Sequence, residues 1–147
     1  MNHLTNINDM NTDIKTLASL TAAIVWSDAE YSEVERETTQ EIAEALELDG
    51  KELDQLIEQA QKETVDMDAE AITDYLMKHG EAVDEDETAI VYEALMQMAL
   101  CDGVLTGNEV DNLIVVAEAL GMDQATAVLL LCDMVKEEPE LEISFEE

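Results

Sequence analysis

The fold is decided by residues 101–123, which read CDGVLTGNEVDNLIVVAEALGMD. Thr106 and Glu109 have the Ser/Thr-x-x-Glu spacing of a capping box, which predicts that a helix begins there. Moving 74 residues toward the N-terminus gives residues 27–49, SDAEYSEVERETTQEIAEALELD, without a gap. Ser32 and Glu35 form the same pattern in that earlier stretch. The sequence therefore predicts two related helical units.

The match between the two stretches includes their acidic residues. Asp28 corresponds to Asp102, Glu35 corresponds to Glu109, and the tetrapeptide AEAL ends both helices. Each unit has the order helix, Asp-containing turn, capped helix, Asp cap, helix. Two units of this kind are expected to pack around a pseudo-twofold axis.

The apolar spacing is helical along nearly the whole chain, and no stretch alternates as a strand would. We therefore predict an all-α, single-domain bundle of about seven helices and no strands. The predicted helices cover roughly 12–27, 32–47, 50–64, 69–79, 86–101, 107–120 and 124–136. Those at 89–101 and 125–135 are apolar on most faces and are expected at the centre, with 32–47 and 50–64 at the periphery.

The predicted organisation has three parts. Residues 1–11 are expected to be a flexible N-terminus. Residues 12–136 form the helical domain, with repeat units at about 12–64 and 86–136 joined by the 69–79 helix. Residues 137–147, EEPELEISFEE, are expected to be an acidic, flexible or loosely docked tail.

The charge excludes several classes of function. The 147 residues include 37 Asp and Glu against 6 Lys and Arg, a formal net charge of −31. Direct nucleic-acid binding and attachment to anionic membranes both need cations that this chain lacks. The longest apolar run, residues 127–132, is far shorter than the roughly 20 residues that span a bilayer, so no membrane insertion is expected. With 47% hydrophobic residues, the chain has the apolar fraction of an ordinary globular domain.

The cysteines and the N-terminal residues favour a cytoplasmic protein. The first residues, MNHLTNINDMN, have neither the basic nor the apolar region of a secretory signal. Cys101 and Cys132 lie in apolar stretches without the spacing of a zinc site, which favours buried reduced thiols.

Residues 102–109, DGVLTGNE, match the second half of an EF-hand calcium loop. The first half does not, because loop positions 1 and 3 would be Met98 and Leu100, which offer no oxygen ligand. In the first unit the same positions would be Ile24 and Trp26. The chain is therefore not an EF-hand protein.

The chain resembles the TerB-like tellurite-resistance family. The resemblance lies in a helix that ends in A-D-G or S-D-A, followed by a Ser/Thr cap, a Glu, and the pattern A-x-x-L-G-[ML]-[DS]. The resemblance covers roughly residues 12–136 and is strongest at 99–123. That superfamily also includes the N-terminal domain of a membrane-anchored DnaJ-type co-chaperone. The resemblance implies an all-helical bundle with pseudo-twofold repeats. It also implies a link to tellurite, metal or envelope-stress responses.

The resemblance further implies that Asp28, Glu35, Asp102 and Glu109 form an acidic site that binds a divalent cation. Oxygen ligands favour Ca²⁺, Mg²⁺ or Mn²⁺. Two carboxylates about 4 Å apart repel by up to ~4 kcal/mol at an effective dielectric near 20, so a converged cluster would recruit a cation or raise a pKa. The alternative is purely structural, because a capping-box Glu bonds to its own cap and an Asp forms turns.

Three classes of function remain at this point. The first is a non-enzymatic TerB-like domain whose acidic turns bind a divalent cation, a basic protein segment, or both. The second is an acidic adaptor or nucleic-acid mimic without a metal site, which recognises basic surfaces by charge. The third is an enzyme that uses a carboxylate-bound metal for hydrolysis. The chain contains no GxSxG, HExxH or phosphate-binding glycine motif, and no catalytic residue is predicted.

Overall fold

The structure, a computed structural model, describes residues 12–26, 31–137 and 142–144. Within these ranges the chain forms seven α-helices, a single 3₁₀ turn at Glu85–Glu87 and two short strands. The helices are α1 Ile14–Ile24, α2 Glu33–Leu46, α3 Gly50–Thr64, α4 Ala69–Gly80, α5 Thr88–Leu100, α6 Gly107–Ala119 and α7 Gln124–Lys136. The predicted all-α class and the seven predicted helices are confirmed.

Aspartate caps explain why several helix starts could be predicted so closely. The Asp49 side chain accepts hydrogen bonds from the backbone N–H groups of Lys51 and Glu52, and α3 begins one residue after Asp49. The Asp68 side chain accepts from the Ala71 N–H at 2.8 Å at the start of α4. These bonds satisfy N–H groups that have no partner within the helix.

The centre of the bundle is formed by α1 and α5. Every residue of α1 from 17 to 24 is buried, and α1 packs against α3, α4, α5 and α6. In α5, eight residues are buried, among them Tyr92 and Met96. The prediction that 89–101 lies at the centre is therefore correct.

The prediction that 125–135 also lies at the centre is wrong. Only Ala127 of α7 is buried, whereas Val128 and Leu129 are 43% and 66% exposed. Small residues give α1 the central place, because Ala18, Ala22 and Ala23 let neighbouring helices approach closely. The apolar content of a helix does not by itself predict a central position, since α7 carries larger apolar side chains than α1 and lies on the outside.

The two strands, β1 Val104–Thr106 and β2 Glu142–Ser144, form a parallel pair in which Leu105 is opposite Ile143. The prediction of no strands is wrong for these two segments. Three residues are too few to show the alternation by which strands are recognised in a sequence. The pair attaches residues 142–144 of the predicted tail to the turn before α6. The predicted flexible N-terminus, 1–11, lies outside the described residues.

The ends of α2 and α6 share one geometry at the 74-residue spacing. Glu47 follows α2 with a φ of 56°, and Gly121 follows α6 with a φ of 78°. The next residues, Leu48 and Met122, donate backbone hydrogen bonds of 2.8 and 2.9 Å to carbonyls five residues earlier. Both ends therefore have the bonding of a Schellman motif. A twofold relation between the complete units stays a prediction.

No helix among the described residues is long and apolar enough to cross a membrane.

Candidate functional site

Two buried glutamates stand at equivalent positions in α2 and α6. Glu35 accepts a hydrogen bond from the Ser32 N–H at 2.7 Å through Oε1, and the Glu35 N–H donates to Ser32 Oγ at 3.2 Å. In α6, Glu109 Oε1 accepts from the Thr106 N–H at 3.0 Å, and the Glu109 N–H donates to Thr106 Oγ1 at 3.2 Å. Both predicted capping boxes are therefore present.

These glutamates are unusual in their burial. Each is only 2% exposed, although Glu is among the residues least often buried. The capping bonds and the positive ends of α2 and α6 compensate part of the cost of burying a carboxylate. The positions thus have the structural role that a capping-box glutamate is expected to have, and both carboxyl groups lie inside the protein.

Asp102 lies in the turn that connects α5 to β1. Its Oδ1 accepts a hydrogen bond from the Val104 N–H at 3.0 Å, and Gly103 has a φ of 81°, which favours glycine. The Asp102 residue is exposed. The fourth predicted site residue, Asp28, lies outside the described residues.

Cys101 follows α5, against which both α2 and α6 pack. Burial raises the pKa of its thiol to about 11, and the charges of Glu35, Asp102 and Glu109 add to the increase, while a hydrogen bond with Thr38 opposes it. Three of the four predicted site residues therefore act on one sulfur atom, although they come from α2, the α5–β1 turn and α6. The packing of α2 and α6 against α5 produces this convergence.

The raised pKa also limits what Cys101 can do. A thiol with a pKa near 11 is protonated at neutral pH and is a poor nucleophile and metal ligand. Both cysteines are free, as predicted, but the prediction that both are buried is wrong. Cys101 is half-buried, and Cys132 is exposed because α7 lies at the surface.

The donor set fits a hard cation in its chemistry, since carboxylate oxygens are the ligands that Ca²⁺, Mg²⁺ and Mn²⁺ take. In its geometry the described part of the chain does not complete a site. No three His, Cys, Asp or Glu side chains within it are arranged to hold a metal ion. The cation site stays a prediction, and Asp28 belongs to the set that would form it.

A polar cluster between α2 and α3 was missed by the sequence reasoning. Arg36 forms ion pairs with Asp54 at 3.0 Å and with Glu58, and its guanidinium lies 4.4 Å from the centre of the Tyr31 ring. The Tyr31 hydroxyl also bonds to Asp54 and Thr39. Burial raises the pKa of Tyr31 well above its ordinary value. Arg36 is the single arginine among the chain's six basic residues, which was the available signal.

A comparison with protein-family models matches residues 15–130 to the family described as Tellurite resistance protein TerB. The match covers more than half of the chain. The chain belongs to the TerB family. Neither the comparison with curated proteins nor that with solved structures gives a match.

The TerB match contains all four predicted site residues. It begins within the first turn of α1 and ends inside α7, so it includes the two capping boxes and the turn around Cys101. The resemblance to the TerB-like family that the sequence indicated is thus confirmed.

Proposed function

We propose that this TerB-family domain binds a divalent cation beside its two capping boxes, at the predicted set Asp28, Glu35, Asp102 and Glu109. The observation that carries the proposal is the packing of α2 and α6, which begin beside Glu35 and Glu109, against α5, which ends at the Asp102 turn. Nearby carboxylates repel one another, and the repulsion is strongest where burial removes water. A divalent cation of the Ca²⁺, Mg²⁺ or Mn²⁺ class relieves that repulsion.

The burial of Glu35 and Glu109 supports the same proposal. A carboxylate needed only as a cap functions equally well at an exposed helix end. Here both caps are 2% exposed and belong to helices that meet at the same end of α5. Buried carboxyl groups favour a cation as a partner, in addition to the cap bonds that each one makes.

The test is calorimetric titration of the full chain with Ca²⁺, Mg²⁺ and Mn²⁺, against NaCl at matched ionic strength. The NaCl control is essential because any divalent ion screens a charge of −31. We expect saturable heat for at least one divalent ion and none for NaCl. Equal heats at matched ionic strength would show screening without a site.

The substitutions that test the site are Asp102→Asn with Glu109→Gln. Asn still forms the turn and Gln still forms a capping box, so the variant loses charge and keeps its local hydrogen bonds. The matched control is Asp111→Asn with Glu118→Gln. Both residues are exposed on α6, and the two substitutions remove the same charge. We expect the divalent-specific heat to disappear only in the first variant. If it survives there, the cation proposal is wrong.

We also propose that the domain acts in the cytoplasm, without catalysis, in a tellurite, metal or envelope-stress response. The support is the description of the family. The expected result is that cells lacking the chain lose tolerance to tellurite or to excess metal, and that the Asp102→Asn/Glu109→Gln variant does not restore it. Ester or phosphoester turnover that disappears in this variant would instead indicate a metal-dependent hydrolase.

A further inference from the structure

A groove runs between α2 and α5 on the surface of the bundle. Its α2 wall is one helical stripe, because the lining residues recur at spacings of three and four. These residues are Val34, Glu37, Thr38, Glu41, Ile42, Ala45 and Leu46. Thr38, Ile42 and Leu46 are buried and form the floor, while the others reach the surface.

The α5 wall follows the same rule. Its lining residues are Ile90, Glu93, Ala94, Gln97, Leu100 and Cys101. The beginning of α2 lies beside the end of α5, so the two helices are antiparallel along the groove. The α2 stripe covers 13 residues and the α5 stripe covers 12, which at a rise of 1.5 Å per residue makes the groove about 17 Å long.

Two cavities make up the groove, and Gln97 lines both of them. The cavity of about 150 Å³ lies toward Ile90 and Leu46, and the larger one of about 300 Å³ lies toward Val34 and Leu100. Met134 of α7 closes the larger cavity on one side. The smaller cavity is lined mainly by apolar surface and the larger one mainly by polar surface, and both are open to solvent.

Apolar side chains project at both ends of the groove. Val34 and Ile90 are each 42% exposed. They lie at opposite ends of the groove, on different helices. An occupant that spans the groove would therefore find an apolar contact at each end and the Ala94 floor between them.

The rim of the groove is negatively charged. Glu37, Glu41 and Glu93 are exposed along it, and none of the residues that line either cavity is a Lys or an Arg. A bound segment would therefore meet the apolar lining of the smaller cavity and the side chains of Val34 and Leu100, with carboxylates on both sides. Cationic side chains that flank an apolar face complement this arrangement.

We propose that the groove between α2 and α5 binds an amphipathic helix of a partner protein, with an apolar stripe flanked by Lys and Arg. The length of about 17 Å accommodates three helical turns, and apolar residues at i, i+3 or i+4, and i+7 match the floor. A second copy of this chain is a poor occupant, because it has only 6 basic residues against 37 acidic ones. The proposal does not depend on cation binding at the capping boxes.

The experiment is selection from a displayed library of helix-favouring peptides of about 16 residues against the intact chain. Every position of the library can be Lys, Arg, Glu, Gln, Leu or Ala, so the selection itself determines the charge of the peptides that bind. We expect enriched peptides to carry an apolar i, i+4, i+7 stripe with flanking Lys or Arg. Enrichment of neutral or acidic peptides, or no enrichment, would overturn the proposal.

Binding of the enriched peptide to variants of the chain then locates the peptide-binding site. With Glu37, Glu41 and Glu93 changed to Gln, we expect binding to weaken about tenfold at low salt. The matched control changes Glu44, Glu52 and Glu70 to Gln, which removes the same charge from exposed positions outside the groove. Equal weakening in the two triple variants would mean non-specific attraction to an acidic protein and would contradict the proposal.

The apolar contacts of the groove have their own test. Val34→Ala with Ile90→Ala leaves every charge in place, and both residues are exposed enough for the fold to tolerate the change. We expect about tenfold weaker peptide binding, with a far-UV spectrum like that of the parent. Unchanged peptide binding would overturn the proposal, and so would a dimer of this chain that these substitutions dissociate, since the occupant would then be a second copy.

Discussion

The third helices of the two units, α3 and α7, are built and packed in opposite ways. The sequence of α3, GKELDQLIEQAQKET, is rich in charge, yet its Leu53, Ile57, Ala60 and Thr64 are buried against the bundle. The sequence of α7, QATAVLLLCDMVK, is mostly apolar, yet Ala127 alone is buried. A narrow apolar stripe with a charged opposite face fixes how a helix packs, whereas a helix that is apolar on most faces specifies its buried side less strongly.

The 74-residue repeat makes the comparison residue by residue. Leu53 corresponds to Ala127, and Ile57 corresponds to Leu131. The same side of each helix faces the bundle, because Leu131 is half-buried, but α3 packs closely against α1 and α7 packs mainly against α6. Trp26 supports the first arrangement by donating a 2.9 Å hydrogen bond to the Thr64 carbonyl. Leu100 occupies the equivalent position in the second unit and has no such donor.

The largest expected effect separates Ile57 from Leu131. Ile57 is 1% exposed, so Ile57→Ala leaves a cavity and should lower the free energy of unfolding by about 3 kcal/mol. Leu131→Ala should cost about 1 kcal/mol, because its side chain is already partly in water. Urea denaturation followed by circular dichroism measures both. Equal losses would mean that α7 is as deeply packed as α3.

A smaller effect concerns the residues that end α2 and α6. Glu47 has a φ of 56°, a conformation that costs a non-glycine residue about 1 kcal/mol, and glycine occupies the equivalent position 121. Glu47→Gly should therefore raise the free energy of unfolding by up to about 1 kcal/mol, and Gly121→Ala should lower it by about as much. Thermal unfolding of both variants checks the signs. A loss of stability in Glu47→Gly would show that the two helix ends are not equivalent.

The smallest expected effect on the stability of the fold concerns the two cysteines, which should differ clearly in the reactivity of their thiols. Cys101 has its pKa raised to about 11, so its thiol is almost wholly protonated at pH 8, whereas Cys132 is exposed on α7. Iodoacetamide should modify Cys132 first, and Cys101 should react appreciably only as the pH approaches 11. Because the folded pKa lies above the ordinary value of 9.0, the stabilising contribution is present below pH 9 and is lost as pH rises toward 11.

Peptide mapping by mass spectrometry, with Cys132→Ser as the control, identifies the modified thiol. Modification of Cys101 at pH 8 as fast as that of Cys132 would contradict the burial that raises the pKa of the Cys101 thiol.

Local signals explain how much of this structure could be predicted. Ser32, Asp49 and Thr106 act on N–H groups two or three residues away, so the helix starts were readable from short patterns. The position of α7 depends on which neighbours leave room for it, and no pattern within 124–136 reports that. The groove could not be predicted from the sequence for a similar reason, because it is formed only where α2 and α5 lie side by side.

The candidate site shows the same division. The acidic residues of the turns were identified because they recur at one spacing, and their capping bonds follow from type and position. Their convergence at Cys101 results from the packing of α2 and α6 against α5. The burial of both glutamates to 2% is equally a tertiary property, since most capping glutamates are exposed.

The most direct test of the cation proposal is to follow the backbone amide signals during titration with substoichiometric Mn²⁺, whose unpaired electrons broaden nearby resonances. We predict selective broadening in two stretches far apart in sequence, around Ser32 to Glu35 and around Asp102 to Glu109, at matched ionic strength. The Asp102→Asn/Glu109→Gln variant should lose the broadening in both stretches. Uniform broadening over the acidic outer faces of α2 and α3, unchanged in that variant, would contradict a site at the capping boxes.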